Sequence, residues 1–329
     1  MATIADRPVG RIGFGLMGLT WRPDPPSYEH CFAVMKAALA RGANFWNGGD
    51  LYGTPDANSL HLLKAYFTKY PEDADKVVLS IKGGVDIAGG MKIDGTEAGV
   101  RESVEKCLRV LEGTKKIDVF EYARLDPKVP VEETVRALKT LQDEGKIGGI
   151  GLSEVRAETI RRAAAVAPIA AVEIELSLAT REPLSNGIVS TCAELGIPIV
   201  AYSPLSRGLL TGTLRSASDV PDGDLRKHLP RFQQQALEVN LKLADAVCEL
   251  AQKKGCKASQ LAIAWVASQS MPNAPIIPIP GTSSIERVDE NLTDVSLTSD
   301  EKEEIAEILT KCPVEGSRYA EAQLKFCDA

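Results

Sequence analysis

Histidine occurs only 3 times in the 329 residues, aromatic residues make up 5% of them, and no run of like charge is long enough to form a tail. The seven cysteines (Cys31, Cys107, Cys192, Cys248, Cys256, Cys312 and Cys327) are odd in number and contain no C-x-x-C pair. A disulfide framework is therefore not indicated, and each thiol reads as a small buried hydrophobe in a reducing compartment. No apolar stretch follows the first basic residue, so no secretory signal is expected. The most apolar segment, residues 163–178, carries Glu173 and Glu175 and is too short and too charged to span a bilayer. The expected location is the cytoplasm. With 38 Lys+Arg against 45 Asp+Glu the net charge is -7, which argues against nucleic acid or an anionic membrane as partner and leaves small molecules as the default ligands. No metal is called for, and oligomeric state is not readable from the sequence.

What the chain does have is alternation. Short β-branched or apolar runs at residues 11–15, 44–48, 76–81, 117–122, 148–152, 170–176, 197–202 and 274–279 are separated by amphipathic stretches, the pattern of βαβ units and a parallel sheet. The first helical stretch, 28–41, puts Cys31, Val34, Met35, Ala38 and Leu39 on one stripe and ends at Gly42. Stretches 131–144, 158–166, 183–195 and 233–254 stop at Gly145, before Pro168, at Gly196 and at Gly255. Steady alternation without a low-complexity linker predicts one α/β domain, a closed (β/α)8 barrel, in preference to an open doubly wound sheet. The strand C-terminal ends then share one face, where barrel enzymes keep their chemistry. The Pro- and Gly-punctuated stretch 204–231 reads as a lid or binding loop, with a floppy insertion as the alternative.

GFGLMG, residues 13–18, has the spacing of a dinucleotide fingerprint but runs on into Trp21, Arg22 and Pro23 instead of opening a helix, so a turn at the barrel mouth is expected. Tyr52, just past the second strand, and Lys82, at the end of the third, fall on the active face. A lysine ammonium within ~4–6 Å of a phenol would lower its pKa toward that of a working acid. Spacing alone leaves open an interfacial Tyr and a snorkelling Lys.

Six segments in order resemble the aldo-keto reductases: FWNGGDLYG (45–53), IKGG (81–84), IDVFEYARLD (117–126), GLSE (151–154), AYSPLSRGLLTG (201–212) and IPGTSSIERVDEN (279–291). The resemblance covers nearly the whole chain and implies reduction of aldehydes or ketones with NADPH, using an Asp, Tyr, Lys and His tetrad. Tyr52 matches the proton donor and Lys82 the cation. The Asp position falls on Asn47 and the His position on Ala123. Asp50 is the candidate to take over the charge beside Lys82, and substrate alignment is expected from other groups, with Trp21, Ala123 and Arg124 around the substrate. FWNGG with EYARLDP is most like the fungal pyridoxal reductases, which implies conversion of pyridoxal to pyridoxine. Two other readings stand beside it: a reductase of other aryl or aliphatic aldehydes, and a redox-sensing subunit that binds NADPH with little turnover.

For the cofactor, the resemblance implies Tyr202 stacking on the nicotinamide and Ser153 and Glu173 near the carboxamide, with Gly15, Leu16 and Met17 at the mouth. Glu154 and Glu173 stand where the family has Asn and Gln; a protonated form of either would restore a donor. Ser203, Pro204, Leu205, Arg207 and Gly208 are implied to line the pyrophosphate. Thr282, Ser283 and Arg287 fit a 2′-phosphate, Gly281 replaces the family's usual Lys, and Glu290 and Asn291 match adenine-side contacts. The tail after Lys311, including Tyr319, Phe326 and Cys327, lies where such barrels place pocket loops.

Overall fold

The computed structural model describes residues 2–87 and 89–327. Its main sheet has 8 parallel strands in sequence order: β1 (Phe14–Gly15), β2 (Phe45–Gly49), β3 (Val78–Gly83), β4 (Val119–Tyr122), β5 (Ile150–Ser153), β6 (Ile169–Glu175), β7 (Ile199–Tyr202) and β8 (Ile276–Pro278). The Gly13 amide donates to the Pro278 carbonyl at 2.9 Å and the Gly15 amide to Pro280 at 3.4 Å, so first and last strands meet and the barrel is closed. The order and position of all eight strands follow the expectation.

Eight helices pack outside the strands: α1 (Tyr28–Ala40), α2 (Ser59–Lys69), α3 (Glu97–Leu111), α4 (Val131–Asp143), α5 (Ala157–Ala164), α6 (Ile188–Leu195), α7 (Gln234–Lys254) and α8 (Ala258–Ser268). They are followed by α9 (Ile285–Asn291) and α10 (Ser299–Lys311). Ser27, Asn58 and Thr96 cap the first three helices with side-chain oxygens, each satisfying an otherwise orphaned amide. The stretch expected as one helix at 183–195 is divided: a single turn at Glu182–Leu184 precedes α6. Gly187 sits between them at φ 93°, a left-handed conformation that interrupts the helix and that only glycine adopts cheaply.

Strand alternation sorts the interior into layers. Phe45, Val78, Val119, Ala171, Val200 and Ile277 form an apolar floor, together with Ile4 and Val9 from an antiparallel hairpin (Ala2–Ile4 with Arg7–Val9) that closes the bottom of the barrel. Arg7 secures this hairpin by a 2.9 Å ion pair to Asp118. The sequence reading did not find the hairpin, because its apolar residues are too few to show a period. One pleat higher, at spacing two, the inward positions are polar and buried: Asn47, Ser80, Glu121 and Glu173. The outward positions pack against helices; Trp46 lies edge-on to Tyr66, ring centroids 5.2 Å apart. The stretch 204–231 is neither floppy nor bare, since Leu209, Leu214, Val220, Leu229 and Phe232 bury a small core of their own against Leu237 of α7.

Candidate active site

Lys82 ends β3 with its side chain pointing into the barrel, where it is ion-paired to Glu173 on β6 and, at 3.4 Å, to Glu121 on β4. Asn47 binds the same two carboxylates: its Nδ2 donates to Glu121 Oε1 at 2.9 Å and to Glu173 Oε2 at 2.7 Å. Ser80 Oγ donates to Glu121 at 3.2 Å. Burial disfavours the Lys82 charge, yet Glu121 and Glu173 together hold its pKa above the ordinary lysine value. Burial, and then the neighbouring Glu121, push Glu173 well above the usual carboxylate range, with Lys82 opposing. Glu173 is thereby biased toward holding a proton in this buried layer, which limits the number of unbalanced charges there.

Asp50 does not join this group. Strand alternation turns Phe45, Asn47 and Gly49 inward, so the next residue faces out, and Asp50 Oδ2 meets Lys106 of α3 at 3.3 Å while only its backbone amide reaches the Lys82 carbonyl, at 3.0 Å. The charge partner expected at Asp50 is therefore Glu173, backed by Glu121. Glu121 went unnoticed in the sequence, although a glutamate at an inward position of the apolar run VFEY is the signal that could have revealed it.

Tyr52 lies on the loop after β2, where its carbonyl accepts from Thr20 Oγ1 at 2.7 Å and from the Ser59 amide at 3.1 Å. Trp21 stacks on its ring, centroids 6.0 Å apart and 25° between planes. Burial pushes the phenol up to about 12; Lys82 pulls the other way, but Glu173 and Glu121 offset its charge. The expected lowering is thereby reversed, and the phenol stays protonated through the neutral range.

Tyr202 ends β7 with its ring 5.8 Å from the Lys82 ammonium. Its hydroxyl lies 3.0 Å from that of Tyr319, which the C-terminal tail lays over the barrel mouth. Arg318 donates to Glu154 Oε2 at 2.8 Å, and the Glu175 amide donates to Glu154 Oε1 at 2.9 Å. Burial would raise Glu154, but Arg318 holds it down at about 2, so this glutamate is ionised. Ala123 is buried beside Arg124, whose guanidinium donates to the Ala123 carbonyl.

A dinucleotide has matching features on this face. Ser153 Oγ is buried with no hydrogen-bond partner among the described residues. Ser203, Ser206, Arg207 and Gly208 all have positive φ, so the chain turns tightly alongside Pro204 and Leu205, with the Ser206 amide donating to the Ser203 carbonyl at 2.8 Å and the Gly208 amide to Leu205 at 3.0 Å. The Arg207 guanidinium lies 5.0 Å from the Tyr319 ring and 3.7 Å from Glu175. Leu16 donates its amide to Asn47, which fixes the Gly15–Leu16–Met17 turn against β2. Ser283 accepts from Arg22 at 3.0 Å and its carbonyl contacts His30 at 2.6 Å, two basic neighbours that the sequence did not single out. Thr282 accepts from the Ser284 amide, Arg287 is exposed nearby, and Asn291 is buried. Glu290 is turned to Ser259 of α8. A side chain at Gly281 would meet the Gly15 carbonyl at 2.7 Å, so a lysine there would require the backbone to shift.

The sequence profile of the Aldo/keto reductase family matches residues 11–310. The chain belongs to that family. Among the relatives of this aldo-keto reductase, the probable pyridoxal reductase 2 of Schizosaccharomyces pombe is 43% identical over 318 residues, covering 94% of this chain and 95% of its own length. The putative pyridoxal reductase of Saccharomyces cerevisiae is 40% identical over 334 residues, covering 93% and 95%. Among solved structures, the glycerol dehydrogenase of Gluconobacter oxydans superposes with a TM-score of 0.81 at 27% identity, covering 95% of this chain and 96% of that one. No helix among the described residues is long and apolar enough to cross a membrane.

Proposed function

We propose that this chain, acting as one catalytic domain, reduces an aldehyde to an alcohol with NADPH, and that the aldehyde is pyridoxal. The observation that carries the reading is the buried, protonated Tyr52 phenol next to a lysine whose charge is held by Glu173 and Glu121. The names of the two fungal relatives support the substrate, and the seven free cysteines suit a reducing cytoplasm.

Tyr202 offers its ring to the nicotinamide, Ser153 its unpartnered hydroxyl to the carboxamide, and the tight 203–208 loop lines the pyrophosphate. Thr282, Ser283 and Arg287, with Arg22 beside them, offer hydroxyls and cations to a 2′-phosphate, the feature that favours NADPH. A nicotinamide dinucleotide held by these residues would supply the hydride for the carbonyl carbon. Tyr52 gives its hydroxyl proton to the carbonyl oxygen, and the phenolate left behind is stabilised by Lys82 until a solvent proton replaces the one lost. Asn47 and Glu173 keep the ammonium at that spot. Trp21 walls the substrate side of Tyr52.

The test follows NADPH absorbance with purified protein, a panel of aldehydes led by pyridoxal, and Tyr52→Phe in parallel. Turnover strongest on pyridoxal and lost in the variant is the expected result. Turnover confined to other aldehydes would make the chain a general aldehyde reductase, and tight NADPH binding without turnover would make it a redox-sensing subunit.

A further inference from the structure

Four guanidiniums converge on the barrel mouth beside Tyr202, from Arg124, Arg207, Arg231 and Arg318. Within ion-pair distance of them, among the described residues, lie only the carboxylates of Glu154 and Glu175. Glu154 is taken by Arg318 at 2.8 Å, while Glu175 stands 3.5 to 3.9 Å from Arg318, Arg207 and Arg231. Arg231 finds a neutral partner in Thr180 Oγ1, at 2.6 Å. Arg124 has no carboxylate, and Arg207 Nη2 is buried without a hydrogen-bond partner. Largely shielded from water, with two carboxylates among four guanidiniums, the cluster carries an excess of positive charge that a bound anion would complete.

Three of the four, Arg124, Arg207 and Arg318, surround the Tyr319 ring at 5.8, 5.0 and 5.8 Å. Tyr202 joins the cluster to the catalytic lysine, its hydroxyl 3.0 Å from that of Tyr319 and its ring 5.8 Å from the Lys82 ammonium. Arg124 directly follows Ala123, the position where an imidazole is missing.

We propose that Arg124, Arg207 and Arg318 form a subsite for an oxyanion carried by the substrate close to its aldehyde. The inference rests on the aldehyde-reductase reading and narrows it to a substrate class. Pyridoxal belongs to that class: its ring hydroxyl is ortho to the aldehyde and ionises at neutral pH because the ring nitrogen is protonated. Guanidiniums that grip this oxygen orient the carbonyl from the substrate's own charge, the task Ala123 cannot perform.

The experiment compares pyridoxal with 3-O-methylpyridoxal, whose oxygen cannot ionise, on the full chain and on Arg124→Gln and Arg124→Lys. Expected for the unmodified chain is at least a tenfold preference for pyridoxal in kcat/KM. That preference should fall to near unity in Arg124→Gln and partly return in Arg124→Lys, with the NADPH Kd, read by fluorescence titration, within twofold. Calorimetric titration of both aldehydes into the NADP+ complex reads the same preference without turnover, so an inactive enzyme with intact discrimination would sink the reductase reading and leave the subsite standing. A preference unchanged in Arg124→Gln overturns the subsite, as does a tenfold rise in NADPH Kd with discrimination intact, which would assign the guanidiniums to the cofactor's phosphates.

Discussion

Glu173 on β6 reaches across the barrel interior to hold Lys82 on β3, and Asn47 on β2 donates to the same carboxylate. The acid and the amide stand on exchanged strands relative to the family pattern, with Asn47 where an Asp is usual and Glu173 where a Gln is usual. A charge needed beside the lysine is thus supplied from the opposite wall.

Glu173→Gln should lower kcat at least tenfold with a smaller change in the KM for NADPH, since it replaces one of the two oxygens that accept from Lys82 and Asn47 by an amide nitrogen. Asn47→Asp alone adds a third carboxylate to a closed layer and should also lower kcat. The two together restore one acid and one amide, so a double-mutant cycle should return a favourable coupling of about 1–3 kcal/mol in transition-state stabilisation. Additive losses would mean that the two residues act independently.

Tyr52→Phe should cut kcat by about 10²–10⁴ while leaving the melting temperature within a few degrees, because the ring and its Trp21 contact remain. The phenol pKa, pushed up to about 12, has a direct sign: the donor form is full below that value and is lost only above it. The rate should therefore show no basic limb from tyrosine ionisation between pH 7 and 10. A limb near pH 8 that disappears in Tyr52→Phe would contradict this.

Glu154 is lowered from 4.5 to about 2 by Arg318, against the opposing effect of burial. A depressed carboxylate contributes stability above its unfolded pKa and loses it as pH falls through the folded one, here between about 4.5 and about 2. At neutral pH the contribution is about 3 kcal/mol for such a shift. Arg318→Met should lower the urea midpoint at pH 7, and the gap to the unmodified chain should narrow as pH is taken toward 3. A gap independent of pH would place the effect in packing alone.

Ala123→His should reduce kcat/KM on pyridoxal. Ala123 is buried, its amide fixed to the Gly83 carbonyl at 2.9 Å, and a ring inserted there displaces Arg124. Increased activity on pyridoxal would show that an imaginary vacancy at this position had been filled by a useful group, and would undo the account of Arg124.

The barrel was legible because its signals are local and repeated: apolar runs of strand length, helices stopped by glycine, polar clusters after each strand. Tyr52, Lys82 and Tyr202 were legible because each sits at a strand end that a motif marks. The partner of Lys82 was not, since Glu121 and Glu173 lie about fifty residues apart and meet only when the sheet closes. Asp50 drew attention by nearness in sequence, and pleating sent it to the outer face. Arg318 and Tyr319 belong to a segment with no periodicity, whose contacts depend wholly on where the tail folds back.

The hairpin beneath the barrel gives the site a floor as well as a mouth. Ile4 and Val9 seal the apolar layer of Phe45 and Val200 that lies beneath the ion pairs of Lys82 with Glu121 and Glu173. The ion pairs at the mouth are thereby backed by an apolar plug, so that residues at the far pole of the barrel set the low-polarity surroundings of a site they do not touch.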